Sequence, residues 1–300
     1  MISKGVTFLG QAFIQEKSGG MMITRFVRQL LLTLCLFLSA TVAFAQAQPG
    51  SRDFTPEQGQ QGKDVMWVPT AQALVDKMLD LAKVTPQDYV VDLGSGDGRM
   101  VIAAAKRGAR ALGIEYNPDM VAQSKWNAAK EGVTDKAQFI ETDLFKSDFS
   151  QATVITMFLL TEINVRLRPR ILNLKPGTRI VSNTFTMGGW TADETATVEE
   201  GEKCIRYCTA LLWIVPAKVE GTWELSQGQL RLKQSFQMLS GTLNPGTNNV
   251  PIMNGRLSGE QISFTAGGTQ YAGHVSDNAM QGTFKSGGST GTWSASRISK

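Results

Sequence analysis

The chain has 300 residues, of which 42% are hydrophobic and 19% charged, so it is long enough for two ordinary globular domains. Its formal net charge is +4, but residues 1–45 hold four basic side chains against one acidic one, which leaves only +1 for the rest. That small excess gives no case for nucleic-acid binding through a clustered basic face, and a single histidine argues against a metal cage or Cys-His catalysis.

The first predicted feature is a secretory leader. Arg25 and Arg28 precede the apolar run Leu30–Leu38, and the run continues to the small-residue pattern Ala43-Phe44-Ala45. A basic flank, a short apolar core and an Ala-x-Ala ending are typical of a cleavable signal peptide. The core is short for a bilayer span, so we expect cleavage after Ala45, no retained membrane span, and a periplasmic or secreted location.

A polar segment and a helix follow the leader. Residues 46–63 are rich in Pro, Gly and Gln, which predicts a flexible linker. Apolar residues at helical spacing predict a helix over Ala71–Lys83, and Thr70 directly before it is a natural N-cap.

The most informative segment is a glycine loop between a strand and a helix. The strand is predicted over Tyr89–Leu93 and the helix over Met100–Arg107, with glycine at every second position from Gly94 to Gly98. This arrangement lets a backbone approach a nucleotide-like ligand closely. The dinucleotide pattern Gly-x-Gly-x-x-Gly fails because Arg99 stands at its last position. A generic strand-to-helix turn is the alternative interpretation.

The next strand, predicted over Arg110–Asn117, brings Glu115 to its carboxyl end about 20 residues after the glycine loop. An acidic residue at this distance is suited to accept both ribose hydroxyls, and a solvent-facing charge is the alternative. Strands then alternate with helices, which is typical of a parallel sheet. The remaining predicted helices are Pro118–Glu131 and Glu162–Asn173, and the remaining strands are Ala137–Ile140, Ala152–Leu159, Thr178–Phe185, Ala196–Glu199 and Cys208–Val215.

The character of the chain changes after Pro216. The segment Gly221–Lys300 holds 13 of the 30 glycines and shows no helical periodicity. A glycine followed by threonine and a large apolar residue recurs, at Gly221, Gly241, Gly282 and Gly291. Short strands with frequent turns predict a meander, either a small barrel or a curled sheet. It is either a structural appendage or a module that binds a ligand or partner.

Two cysteines and the histidine lie outside these motifs. In one extended strand Cys204 and Cys208 would be roughly 13 Å apart, too far for a disulfide unless the chain turns between them. His274 lies in the glycine-rich β segment, where we expect a surface or packing role.

Four motifs together resemble a known family. The acidic-x-Gly-x-Gly-x-Gly run that begins at Asp92, with Val68–Thr70, Gly113–Glu115 and Phe158–Leu160, is similar to class I S-adenosylmethionine (SAM) methyltransferases. The resemblance covers about Val65–Ala217. It is to a bacterial methyltransferase-domain family related to mitochondrial lysine methyltransferases and, more distantly, to histone-lysine methyltransferases of the seven-strand fold.

The resemblance implies an α/β fold with a seven-stranded, mostly parallel Rossmann-like methyltransferase sheet, followed here by the small all-β meander or barrel. The expected division is an upstream extension with signal peptide, a flexible linker, the methyltransferase domain and the β module, over residues 1–45, 46–63, 64–216 and 217–300. It also implies SAM as cofactor and methyl transfer, with a protein lysine amine as candidate acceptor. The chain lacks the Asn/Asp-Pro-Pro-aromatic run of base methyltransferases after the fourth strand, which disfavours base methylation.

Site residues follow from the same resemblance. Asp143 would accept the adenine amino group with Leu144 against the ring, with a helix cap as its alternative role, and Glu115 would bind the ribose. The implied cofactor-binding set is Asp92, Gly94, Ser95, Gly96, Asp97, Glu115, Asp143 and Leu144. Glu162 is the candidate group to take a proton from a lysine, and an exposed first-turn carboxylate favoured by the helix dipole is its alternative role. A non-catalytic SAM sensor, or an envelope binding protein that works through its β module, are the alternative functions.

Overall fold

The computed structural model describes residues 54–199, 204–246 and 248–299, so the predicted leader and the first part of the predicted linker lie outside it. Helices and strands alternate through the first half of the chain, except that the third and fourth strands follow one another directly, and in the described residues only strands come after the fifth. The elements of the first domain are α1 (Gln72–Leu81), β1 (Tyr89–Leu93), α2 (Arg99–Lys106), β2 (Arg110–Glu115), α3 (Pro118–Lys130), β3 (Ala137–Glu141), β4 (Val154–Met157), α4 (Thr161–Ile171), β5 (Arg179–Asn183), β6 (Glu194–Thr197) and β7 (Thr209–Ile214).

These strands form one seven-stranded sheet in the order β3-β2-β1-β4-β5-β7-β6. The first five are parallel, and β7 runs antiparallel to both of its neighbours. The predicted seven-stranded, mostly parallel sheet is confirmed. Among the described residues no helix is long and apolar enough to cross a membrane.

The central strands are buried on both faces, which explains their continuous apolar runs. Val90 and Val154 pack with α1 and α2 on one side of the sheet, and Val91 and Ile155 pack with α4 on the other. This alternation follows from the two-residue period of a strand. The helices are therefore fixed by apolar contacts, and the sheet edge where the parallel strands end is left for a site.

Two local predictions were wrong. Helix α1 begins at Gln72 with Ala71 as its N-cap residue, so Thr70 does not cap it. The Thr70 hydroxyl accepts a hydrogen bond from Asn183 and its carbonyl accepts one from Arg99, contacts that depend on the tertiary fold. Strand β4 is also shorter than predicted, because the chain leaves the sheet at Phe158 and turns into α4.

The second domain is a closed, eight-stranded antiparallel barrel in the order β10-β11-β12-β13-β14-β15-β8-β9. Its strands are β8 (Gly221–Leu225), β9 (Gly228–Ser235), β10 (Met238–Asn244), β11 (Val250–Ser258), β12 (Gln261–Ala266), β13 (Thr269–Ser276), β14 (Ala279–Ser286) and β15 (Ser289–Ser299). The sequence predicted either a small barrel or a curled sheet, and the structure contains the barrel.

Large side chains pack into the barrel interior. Trp293 contacts Phe264 and Tyr271 edge to face, with ring centroids 5.9 Å apart in both pairs, and Trp223 is fully buried. An eight-stranded barrel is just wide enough for side chains to fill it. This packing favours the structural interpretation of the module over a ligand-binding one.

The recurrent glycines have a steric explanation. A Cβ on Gly241 would lie 1.9 Å from the Arg231 carbonyl oxygen, and one on Gly282 would lie 2.0 Å from that of Ala272. Neighbouring strands therefore approach too closely for any side chain at these points. Glycine marks the bends that let the sheet close into a barrel.

The cysteines are joined by a disulfide, with 5.9 Å between the Cα atoms of Cys204 and Cys208. The chain turns between them, and Tyr207 has a positive φ of 58°. The distance expected for a straight strand does not apply, because the cysteines do not share an extended strand.

Candidate active site

A cavity of about 1040 Å³, including its open mouth, lies at the carboxyl ends of β1, β2 and β4. Strand order reverses between β1 and β4, since the chain proceeds outwards to β3 on one side and to β5 on the other. Ligands of open α/β sheets bind at such a switch point. Apolar side chains, among them Ile114, Leu144 and Met157, line the cavity together with several polar ones.

The glycine loop forms one wall of the cavity. The N–H groups of Gly94 and Ser95 both donate to the Ile114 carbonyl, at 2.8 and 3.1 Å, which ties the loop to β2. Gly94, Gly96 and Gly98 all have positive φ, between 54° and 82°. A Cβ on Gly96 would lie 2.5 Å from the Trp67 indole nitrogen. The loop therefore needs glycine both for its backbone angles and for close contact.

Glu115 holds this loop against the turn that follows β2. Its carboxylate accepts hydrogen bonds from three backbone N–H groups, those of Gly96 (2.9 Å), Tyr116 (2.9 Å) and Asn117 (3.0 Å). A carboxylate offers about four acceptor positions, so capacity for a further donor remains. Glu115 is thus both a structural clamp and an available acceptor at the cavity wall.

Asp92 is a buried carboxyl group at the floor of the site. It accepts a hydrogen bond of 2.6 Å from the Thr156 hydroxyl. Burial raises the pKa of Asp92 to about 7, and the negative charges of Glu115 and Asp97 add to the rise, against the opposing effect of the Thr156 bond. A positively charged ligand group would favour the ionised form.

Ser95 and Asp97 shape the loop. The Ser95 hydroxyl is buried and has no hydrogen-bond partner among the described residues. The Asp97 carboxylate binds the Arg99 guanidinium through both oxygens, and Arg99 in turn binds the Thr70 carbonyl at 2.8 Å. Both loop side chains line the cavity.

Asp143 stands just beyond the cavity wall, which its neighbours Thr142 and Leu144 line. Its carboxylate accepts bonds from the Lys63 ammonium (2.6 Å) and the Phe145 N–H (2.8 Å), and both lower its pKa. The Lys63 ammonium also lies 4.8 Å from the centre of the Tyr116 ring. No sequence motif indicates that Asp143 has a cationic partner.

A hairpin over residues 59–67 covers the cavity. Gly59 N–H donates to the Trp67 carbonyl at 2.8 Å, Trp67 N–H donates to the Gln60 carbonyl at 3.0 Å, and a tight turn at Gly62 joins the two arms. The described part of the predicted linker therefore does not behave as a free linker, because it packs on the site. The apolar run Val65–Trp67 in an otherwise polar segment was the available signal.

Glu162 lies at the start of α4 with its side chain exposed, outside the residues that line the cavity. Its neighbour Ile163 does line it. Asn164, which belongs to none of the sequence motifs, is fully buried and donates to the carbonyls of Phe185 and Thr186, both at 3.2 Å. It fastens the turn after β5 to α4.

The site combines hydrogen-bond acceptors and a buried acid with apolar lining residues. Glu115 and Asp143 can accept bonds from hydroxyl or amino groups, and the glycine loop admits a ligand close to its backbone. These features define an α/β protein that binds a nucleoside, and the buried Asp92 suits a nucleoside that carries a positive charge.

Comparison with known proteins agrees with this class. The model of the ANTKMT methyltransferase domain family matches residues 92–194. A protein-lysine N-methyltransferase of Saccharolobus islandicus is 45% identical over 140 residues, which cover 46% of this chain and 87% of that protein. The chain belongs to the class I SAM-dependent methyltransferases, and SAM is its methyl donor.

Two further similarities are weaker in coverage or superposition. An adenine nucleotide translocase lysine N-methyltransferase of Mus musculus is 32% identical over 139 residues, 46% of this chain and 59% of that relative's length. A solved structure described as an RNA methyltransferase of Salinibacter ruber, with S-adenosylhomocysteine, is 44% identical. The alignment of the two chains covers 51% of this chain and 96% of that chain, with a TM-score of 0.47.

Proposed function

We propose that the chain transfers a methyl group from SAM to a lysine amine of a protein. The observation that carries the proposal is the 45% identity to a protein named for lysine methylation, over 87% of that protein's length. The mouse relative is named for a lysine as well, in a translocase. These two names agree on the acceptor group, and they leave the acceptor protein open.

We infer that SAM lies in the cavity in the manner that the resemblance implies. Glu115 would accept the ribose hydroxyls, Asp143 the adenine amino group, and Leu144 would pack on the ring. The amino-acid part would lie along the glycine loop, with its positive charge towards Asp92. The remaining acceptor capacity of Glu115 and the burial of Asp92 support this placement.

A matched pair of glycine substitutions tests the placement. Gly96→Ala puts a Cβ 2.5 Å from the Trp67 indole nitrogen, whereas Gly132→Ala, at a similar positive φ, meets no atom within 4 Å. Both variants carry backbone strain, on the order of 1 kcal/mol. Only Gly96→Ala should lose SAM affinity, by more than about tenfold in calorimetry. Equal SAM affinity in the two folded variants would show that SAM does not bind against the glycine loop.

Bound SAM supplies an activated methyl group, so the protein has to align the acceptor and exclude water. A lysine acceptor must also lose its proton before transfer, which an apolar channel assists because desolvation disfavours the charged amine. The apolar lining residues of the cavity and the hairpin over residues 59–67 provide such surroundings.

The acceptor is tested with tritiated-methyl SAM and cell-envelope extract. We expect the label in protein, and methylated lysine after acid hydrolysis. Gly96→Ala, which should bind SAM more weakly, is the control and should give correspondingly less label at a limiting SAM concentration. Label found only in an RNA fraction would overturn the lysine proposal. SAM binding without methyl transfer to any fraction would contradict the lysine proposal and support a non-catalytic SAM sensor.

We also propose that the chain acts outside the cytoplasm after its leader is removed. The disulfide between Cys204 and Cys208 supports this, because disulfides persist mainly in oxidising compartments. Expressed with its native N-terminus in a bacterium, the protein should be recovered from the periplasm or medium with Gln46 at or near its first residue. A soluble cytosolic product that retains Arg25–Ala45 would contradict the proposal.

A further inference from the structure

Three aromatic rings meet at the edge of the sheet where the cavity opens. The ring centroids are 5.9 Å apart for Phe158 and Phe185, 5.3 Å for Phe158 and Tyr207, and 5.9 Å for Phe185 and Tyr207. Phe158 follows β4, Phe185 follows β5 and Tyr207 precedes the antiparallel β7, so all three belong to the same edge. We call this cluster the aromatic platform.

The turn that carries Phe185 is held firmly. Thr184, directly before it, has a positive φ of 62°, and its N–H donates to the Thr209 carbonyl at 2.7 Å. The Asn164 amide then binds the Phe185 and Thr186 carbonyls. A non-glycine residue keeps such a backbone only where its surroundings enforce it, and residues of this kind cluster at functional sites.

Tyr207 is held by a different device. It lies in the short loop that the Cys204–Cys208 disulfide closes, and its own φ is 58°. The disulfide therefore restricts the positions that the ring can take. The constraint at Thr184 therefore positions the Phe185 ring, and the disulfide positions the Tyr207 ring. Both rings lie against Phe158.

The aromatic platform reaches from the surface to the cavity. Phe158 lines the cavity, while Tyr207 is 39% exposed. Two residues from Tyr207, Ile205 is 79% exposed, and two residues from Phe158, Leu160 is 41% exposed. Packing alone does not require an exposed tyrosine on a cross-linked loop beside exposed aliphatic side chains. The arrangement suits an apolar stem that passes from solvent towards the methyl donor.

We propose that the aromatic platform binds the acceptor side chain, with its aliphatic stem along the rings from Tyr207 inwards and its ammonium at the end nearer the cavity, where Phe158 lies. The inference rests on the proposed lysine acceptor. The rings are too close together to enclose an ammonium between them, so the cation lies on the face of the cluster, within the roughly 6 Å at which cation–π attraction acts. Tyr207 is thus a specificity-determining residue, and the Cys204–Cys208 disulfide positions it.

Binding is measured on the whole protein saturated with S-adenosylhomocysteine, with Nα-acetyl-lysine methylamide as the probe and the norleucine analogue as its uncharged match. Loss of the ring's contact with the stem and of its attraction for the cation predicts about three- to thirtyfold weaker probe binding in Tyr207→Leu, and a change within about twofold in Tyr207→Phe. Norleucine binding should weaken less, because the analogue keeps the stem and lacks the cation. Trp126→Leu, at an exposed ring on α3, is the control and should bind the probe like the wild type.

A second pair of variants tests the disulfide. Cys204→Ser with Cys208→Ser should weaken probe binding about as much as Tyr207→Leu, and adding Tyr207→Leu to them should cost little more, because both changes remove one ring. Affinity for S-adenosylhomocysteine should stay within about twofold in every variant, which shows that the fold and donor site persist. The KM for a lysine peptide should rise while kcat stays near its wild-type value.

The two proposals can fail separately. If the wild type methylates lysine while Tyr207→Leu keeps both the probe affinity and the KM, the aromatic platform is not on the acceptor path. If the wild type fails to bind the lysine probe at all, the inference is likewise overturned. Tyr207-dependent probe binding by a wild type that methylates no lysine would keep the site and overturn the proposed function.

Discussion

Asp92 makes both stability and ligand binding depend on pH. Its carboxyl group keeps a proton up to about pH 7 in the folded protein, whereas the unfolded chain releases it near the ordinary pKa of 3.8. The folded state therefore binds more protons between these values, and this residue's contribution to the unfolding free energy falls as the pH rises from about 4 to 7. Asp92→Asn should remove that part of the pH dependence in urea titrations.

The affinity for SAM should change in the opposite direction, because its positive charge favours ionised Asp92. We expect the dissociation constant to fall about three- to tenfold between about pH 6 and 8, with release of a proton. Calorimetry in buffers of different ionisation enthalpy counts that proton. A wild-type affinity that stays constant over this range would contradict the placement of the charge near Asp92.

The three backbone bonds of Glu115 predict how its conservative variant behaves. Its carboxylate accepts from three backbone N–H groups, so Glu115→Gln turns an amide NH₂ towards at least one of them. A donor that faces a donor loses the bond and leaves both groups unpaired. Glu115→Gln should therefore weaken SAM binding by roughly ten- to a hundredfold, close to the loss in Glu115→Ala. A near-native Gln variant would show that the clamp is dispensable.

Glu162 differs from these residues because its side chain faces solvent. A general base has to come within hydrogen-bond reach of the proton that it takes. We expect Glu162→Gln to keep kcat within about twofold, and to reduce stability by only a few tenths of a kcal/mol through the helix dipole. A kcat that falls tenfold or more, with a shifted pH profile, would restore Glu162 as the base.

At the scale of elements, the hairpin over residues 59–67 forms part of the donor site. Trp67 packs on Gly96, and the hairpin lines the cavity. Trp67→Ala removes this wall and should lower SAM affinity at least about tenfold, since the ligand loses apolar contact and gains solvent. Gln58→Ala, at an exposed position outside the cavity, is the matched control and should bind SAM normally.

The elements that were predicted well are those with local causes. Apolar runs at the two periods of strand and helix marked β1, β2, α2 and α3 within about two residues, and the glycine loop followed from spacing. The hairpin was missed because its stability depends on Trp67 meeting Gly96, almost thirty residues away. The spacing of the two cysteines does not decide whether they form a disulfide, because the bond depends on the turn at Tyr207, where a bulky residue takes a positive φ.

For the site, residue types were predictable and their partners were not. The acid at the end of β2 could be identified from its distance to the glycine loop. Its bond from the Gly96 N–H and the Lys63 partner of Asp143 could not, because those two contacts join separate segments of the chain. Burial, which sets the pKa of Asp92, is a property of the finished fold.

At the scale of the whole molecule, one carboxylate joins the two domains. Asp193, before β6, is almost fully buried and accepts from the Arg256 guanidinium of β11 at 2.6 Å. Gln237 supports the joint by donating to the Thr191 carbonyl at 2.8 Å, and Phe236 stacks on Trp190 with centroids 5.7 Å apart. The barrel therefore packs on the methyltransferase domain through specific polar and aromatic contacts.

Arg256→Ala leaves the Asp193 charge without its cation. Because the arginine is partly exposed, water replaces part of the interaction, and we expect a loss of about 1–2 kcal/mol in unfolding free energy. Urea titration monitored by tryptophan fluorescence measures it, since Trp190 and Trp213 lie near the joint. Arg231→Ala, on an exposed face of β9, should change the unfolding free energy by less than about 0.5 kcal/mol.

The closure of the barrel has a consequence for how the module could be rearranged. Its first strand, β8, pairs with its last, β15, and Arg297 binds the carbonyls of Lys218 and Glu220 at the point where the chain enters. Start and finish are therefore neighbours, and the connectivity around the ring is nearly cyclic. A short link could join them, and new ends could open at the exposed Gly267-Gly268 turn without breaking a strand pair. The same eight strands would then form a ring with the same pairings in permuted order.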